Sequence, residues 1–149
     1  MSLPPLTAHL GYWLRFVSNA VSHAFARRLE AERVTVAEWV VLRALADEDA
    51  TAPSRLAERM GMTRGAISKL AERLIAKRLV ARTACPDDGR AHTLSLTDEG
   101  RALVPRLAAL ADRNDAEFFD HLAQDQRAAL EGLLKDIVRR RGLKSVPTD

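Results

Sequence analysis

The sequence is poor in cysteine. Cys85 is the only one in 149 residues, so no disulfide can form within the chain, and a reducing compartment is the expectation. The start lacks a charged stretch followed by an apolar core, and no uncharged apolar run approaches the ~18 residues of a membrane span. Neither a secretory leader nor a membrane helix is expected, which makes the cytoplasm the default location. The four histidines are scattered without metal-ligand spacing, so a metal site is not expected. A nucleophile elbow, a phosphate-binding loop and a plausible pair of catalytic acids are all missing, which argues against an enzyme. Internal repeats and low-complexity tracts are absent too.

The overall charge of +3 is too small to name a partner, but it is unevenly spread. Between Thr51 and His92, nine Lys/Arg stand against four Asp/Glu, a local +5 that leaves −2 for the rest. A basic block between near-neutral flanks is the footprint of a polyanion site.

Apolar periodicity supplies the elements. From about Leu6 to Arg33, the residues Leu10, Trp13, Leu14, Val17, Val21, Phe25 and Leu29 recur at steps of three and four. They predict one long amphipathic helix, too long to be buried in so small a lobe, so its stripe should meet a second subunit. Thr35 and Glu38 have capping-box spacing and open a second helix, with Trp39, Val40, Leu42 and Leu45 inward. A short helix is expected from Pro53 to Met60, a break at Gly61, and a longer helix capped by Thr63 that reaches about Lys77. Leu79–Thr83 and His92–Leu96 read as strands joined by a long tip, with a turn at Pro86-Asp87-Asp88-Gly89. Thr97 opens a helix to about Phe119. A last one, from about Gln124 to Arg141, should bury Leu130, Leu133, Leu134 and Ile137; its cap, Ala123, is a poor one. The fold class is mainly α with a small β-hairpin wing, in the order α-α-α-α-β-β-α-α. One domain spans 1–149, with a reading lobe at 35–100 and helical dimerisation segments at 6–33 and 101–141.

The spacing Ala57, Gly61, Ile67 carries function. Two helices crossing steeply need a small residue at the contact, a turn residue tolerant of positive φ, and an aliphatic residue packing back. This is the spacing of a DNA-binding helix-turn-helix, although an ordinary helical hairpin could match it. With Ile67, Leu70 and Leu74 inward, Arg64, Gly65, Ser68 and Lys69 face out from the half of the helix that enters a major groove. Arg and Lys there have donors matched to guanine O6 and N7. A solvated surface charge is the bland alternative for each. Arg90, beside Asp88 at the hairpin tip, is placed to enter a narrow minor groove. Arg55, Thr63 and Arg73 complete the candidate DNA-facing set.

The stretch RLAERMGMTRGAISKLAERLIAKRLVAR followed by PDDGRAHTLSLTDEG resembles the MarR family of winged-helix regulators over nearly the whole chain. Its most specific part is Asp88-x-Arg90 followed by Leu94-x-Leu96-Thr97-x-x-Gly100. The resemblance implies a triangular homodimer with intertwined terminal helices, DNA-facing roles for Ser54, Arg64, Ser68 and Lys69, and a wing-tip role for Arg90. It also implies a regulator, with repression as the expected mode, that binds double-stranded DNA at near-palindromic operators. Many relatives release DNA when a small aromatic ligand binds. His9, Tyr12, Trp13, Phe16 and Trp39 could line such a pocket, or Trp13 and Trp39 could simply be core. Cys85 would need an accessible, low-pKa thiolate to sense oxidants. Two departures stand out. Arg78 replaces the usual glycine after the recognition helix, at a cost of about 1 kcal/mol if the backbone there is left-handed. Gly89 replaces one wing-tip arginine.

Overall fold

The structure is a computed structural model. It describes residues 2–85 and 87–149, and for 88–90 the backbone alone. Six helices and one hairpin follow the expected order among these residues: α1 Leu10–Glu30, α2 Val36–Leu45, α3 Pro53–Met60, α4 Arg64–Ala76, β1 Val80–Cys85, β2 Asp88–Leu96, α5 Asp98–Phe119 and α6 Gln124–Arg141. A 3-10 turn, Leu6–Ala8, precedes α1, and His9 between them is extended. The expected first helix is thus divided, and its regular part is 21 residues long. The apolar stripe continues through Leu10, but periodicity cannot register a single extended residue.

Caps fix the helix starts. The Thr35 hydroxyl accepts from the Glu38 N–H at 3.1 Å while the Glu38 carboxylate accepts from the Thr35 N–H at 2.9 Å. Thr63 and Thr97 cap α4 and α5 through the N–H groups of Ala66 and Gly100. Pro53 occupies the first turn of α3, and Gly61 ends that helix with a φ of 62°. At α6 the Gln126 side chain accepts from the Ala123 N–H, the half of a capping box that alanine leaves possible; among the described residues no side chain caps the first-turn N–H groups.

The core lies in the reading lobe and the base of α1. Leu29, Leu42, Leu45, Leu56, Ile67, Leu74, Leu94 and Leu107 are fully buried. On α2 the buried set is Glu38, Val41, Leu42 and Leu45; Trp39 and Val40, expected inward, are only half-buried. Both pack against the edge of the core while also lining a cleft, so the helical phase is rotated by about one residue from the expected one. Leu130, Leu133, Leu134 and Ile137, expected to be buried, are exposed in the protomer, Leu133 by 65%. The α6 stripe is real, but it is left exposed among the described residues.

The hairpin is longer and its tip shorter than expected. Val80 pairs with Leu96, and the antiparallel register holds to Ala84 and His92, then shifts to pair Cys85 with Asp88. Main-chain hydrogen bonds continue where side-chain alternation has faded, so pattern underestimates an exposed ribbon. The turn expected at Pro86-Asp87-Asp88-Gly89 narrows accordingly: Asp88 and Gly89 are strand. Pro86 lies outside the described residues, as do the side chains of Asp88 and Arg90, so the expected Asp88–Arg90 pairing does as well. Thr51 adds a bridge to the hairpin by exchanging two hydrogen bonds with Leu94 at 2.9 and 2.8 Å.

Arg78 is left-handed, with φ 63°. The Leu79 N–H closes back on the Leu74 carbonyl at 3.0 Å, the bond that terminates a helix through a left-handed residue. Arg78→Gly should therefore raise unfolding stability by about 1 kcal/mol, read as a higher denaturant midpoint at unchanged slope. Gly100 is fixed by a close approach: a Cβ there would stand 2.1 Å from the Leu79 carbonyl oxygen. This contact locks the start of α5 against the residue following Arg78.

Candidate nucleic-acid interface

The helix pair α3–α4 is built from two opposed faces. Leu56, Ala57 and Met60 of α3 and Ile67, Leu70, Ala71 and Leu74 of α4 are buried together. The Met62 N–H bonds to the Ala57 carbonyl at 2.9 Å across the turn, so Ala57, Gly61 and Ile67 occupy the three positions the motif requires. On the other face Ser54, Arg55, Thr63, Arg64, Gly65, Ser68, Lys69 and Arg73 are all exposed. Ser54, Arg55 and Arg64 line one open groove between α3 and α4, together with Arg59 and Met62. Ser68, Lys69 and Arg73 continue along α4, and no ion pair engages Arg64, Lys69 or Arg73 among the described residues. Arg55 is different. It pairs with Glu48 at 3.1 Å, and Arg59 lies 3.6 Å from the same carboxylate. Arg90 belongs by its backbone to β2, in the stretch where the hairpin register shifts.

One ion pair escaped sequence reasoning, although Glu38 was expected as a capping residue. Glu38 is 1% exposed, and the Lys77 ammonium stands 2.9 Å from its Oε1 and 2.8 Å from its Oε2. Lys77 also donates to the Arg33 carbonyl at 2.7 Å. One cation thus ties the end of α4 to the start of α2 and the end of α1. Burial pushes the Glu38 carboxyl up, but the Lys77 and Thr35 hydrogen bonds outweigh it and hold the group below the ordinary carboxylate range. The signal was present: Glu38 falls in register with Val41, Leu42 and Leu45, so its carboxylate had to be buried.

The candidate pocket residues separate into two places. Tyr12, Trp13 and Phe16 form a cluster at the start of α1, with ring centroids 5.1 to 6.5 Å apart. His9 precedes them, and the Trp13 indole donates to the Thr7 carbonyl. Trp13 is exposed, so it is not core within the protomer. Trp39 instead lines a cleft of ≈ 300 Å³ with Val21, Phe25, Val36, Ala111 and Asn114. Helical rise accounts for the gap: the nine steps from Tyr12 to Val21 span about 13 Å. Asn114 is 4% exposed; it accepts from Arg28 and donates to the Val21 carbonyl, pinning α5 to α1. No group of three or more potential metal ligands occurs among the described residues, and none of their helices is long and apolar enough to cross a membrane.

Residues 34–91, which hold α2 to the wing, match the MarR family model. The chain is also 31% identical over 136 residues to a putative transcriptional regulatory protein for the hcr operon of Thauera aromatica, covering 91% of this chain and 82% of the relative. The chain belongs to the MarR family. A mutant MarR of E. coli, crystallised with operator DNA, superposes with a TM-score of 0.77 at 26% identity, over 87% of this chain and 93% of that one. Bordetella bronchiseptica BpsR, whose DNA binding is regulated by 6-hydroxynicotinic acid, superposes at 0.78 and 26% identity over 91% and 97%. This MarR-family chain is accordingly a DNA-binding transcriptional regulator of the winged helix-turn-helix type, and not an enzyme.

Proposed function

We propose that this MarR-family regulator reads near-palindromic operators as a homodimer and acts as a repressor. In this reading α4 enters the major groove. Arg64, Ser68 and Lys69 contact base edges, and Gly65 lets the backbone approach. Ser54, Arg55, Thr63 and Arg73 contact phosphate, and Arg90 reaches the minor groove from the wing. The observation that carries it is the division of α4 into a buried aliphatic face and an exposed face, with Arg64, Lys69 and Arg73 left without acidic partners among the described residues. Occupying an operator is enough to exclude the transcription machinery, so repression needs no surface beyond this one.

Homodimerisation is supported by the uncovered apolar faces of α1 and α6. A two-fold dimer demands an inverted repeat with half-sites about 10 base pairs apart, or a multiple of that. Selection from random duplexes should return such repeats; an asymmetric single half-site as the tightest binder would contradict the dimeric reading.

Release by a small aromatic molecule is the further part of the proposal. The Trp39 cleft suits one ring system: its size is at the lower end for ligand pockets, about 300 Å³, and Trp39 and Phe25 offer ring faces. BpsR, regulated by a hydroxylated aromatic acid, supports that class. Tyr12, Trp13 and Phe16 belong in this reading to the dimer face.

A further inference from the structure

Beyond α6 the chain turns at Gly142, where φ is 62°, and segment 143–149 returns to the reading lobe. The Val146 N–H donates to the Met60 carbonyl at 3.0 Å. The Ser145 hydroxyl donates to the Gly61 carbonyl at 2.8 Å. These carbonyls belong to the last residue of α3 and its left-handed cap, groups that a helix end leaves without an intrahelical partner. Val146 packs against the core cluster. A Cβ on Gly61 would stand 2.5 Å from the Lys144 carbonyl oxygen and 2.9 Å from the Ser145 Cα. Glycine at this turn therefore admits the returning segment as well as positive φ. Further on, Pro147 and Asp149 line the Trp39 cleft with Phe25 and Asn114.

We propose that segment 143–149 is a strap: one end holds the turn between α3 and α4, and the other covers the Trp39 cleft. An occupant that displaces Pro147 and Asp149 withdraws Val146 and Ser145 from their carbonyls. The turn then loosens and α4 is less well ordered for DNA. This rests on the reading of α4 given above and supplies a route from the cleft to that helix. A seat of two hydrogen bonds and one half-buried side chain can open locally without unfolding the lobe. Any molecule favouring the open form shifts that equilibrium by its differential affinity.

The test uses full-length protein without DNA, following amide hydrogen exchange across residues 58–66. Val146→Pro removes the donor to Met60, and Ser145→Ala removes the second bond. Ala111→Phe fills the cleft from its wall and stands in for an occupant; Ser22→Leu, also in the lining, serves if Ala111→Phe does not fold. Exchange in the turn should rise about tenfold or more in Val146→Pro, and less in Ser145→Ala. Ala111→Phe should speed it comparably in the wild-type background and add little to Val146→Pro, because the strap is already released. Unchanged exchange in both Val146→Pro and Ser145→Ala overturns the strap. Faster exchange in those two, with no response to the filled cleft, overturns the coupling. Operator affinity should fall several-fold in Val146→Pro. Failure of the wild type to bind any duplex would instead overturn the reading of α4 and leave the exchange results standing.

Discussion

Leu133→Glu is expected to elute as a monomer and to bind an operator duplex about a hundredfold more weakly than wild type. Leu10, Trp13, Leu14, Phe16 and Val17 of α1 and Leu130, Leu133, Leu134, Ile137 and Val138 of α6 are exposed in the protomer. Exposed apolar helix faces of this size mark an interface, and burying each Leu contributes about 1.5–3 kcal/mol. In a two-fold interface every substitution counts twice, and a glutamate places two carboxylates on an apolar face that must be desolvated. Loss of the dimer also removes the effective concentration that joins two half-sites. The lobe itself should survive, because Leu133 is exposed and stands outside the core cluster. Light scattering behind size exclusion, with matched circular dichroism, checks both points. A folded Leu133→Glu dimer at micromolar concentration would contradict this use of α6.

Lys77→Met should cost about 2–3 kcal/mol at neutral pH, less than a fully buried pair because Lys77 is partly exposed. The loss comes mainly from Glu38, left buried and ionised without its cation. Its pH dependence has a definite sign. In the wild type the Glu38 carboxyl is held below its ordinary value of 4.5, so its contribution is present above that value and is lost as pH falls through the depressed one. Without Lys77 two of the causes that lower it are gone and the carboxyl moves upward from its wild-type position, so protonation relieves the variant. The gap between the two proteins should narrow toward pH 4, and Glu38→Gln combined with Lys77→Met should recover part of the loss. Urea titrations across pH 4–7 measure all three. A gap that widens in acid would mean the pair does not act as described.

Much of this was legible in the sequence because it depends on local chemistry. Thr35, Thr63 and Thr97 announce helix starts through side-chain oxygens. Gly61 and Arg78 sit where helices must end in left-handed geometry, and the aliphatic phase of α4 fixes which way Arg64 and Lys69 face. What stayed hidden depends on partners distant in sequence. Periodicity shows that Leu130 and Leu133 share a stripe but not that the stripe is exposed in the protomer. It cannot show that Lys77 closes on Glu38 across 39 positions, or that Asn114 joins α5 to α1. Segment 143–149 has no periodicity at all. Its seat is one main-chain bond, one hydroxyl and one half-buried valine, too few side chains to leave a pattern beyond the glycine at 61.

The most direct test of the central claim is a set of salt titrations of operator binding by wild type, Arg64→Ala, Lys69→Ala and Arg90→Ala, with fold and dimer state matched. Arg64→Ala and Lys69→Ala should each cost about 1–3 kcal/mol and relax preference at particular base positions. Arg90→Ala should weaken binding with little change in preference beyond A·T against G·C, and any lost phosphate contact should flatten the log–log salt slope by about one unit. Folded, dimeric variants that bind the operator as tightly as wild type, with the same salt slope, would mean that α4 and the wing are not the surface that reads DNA.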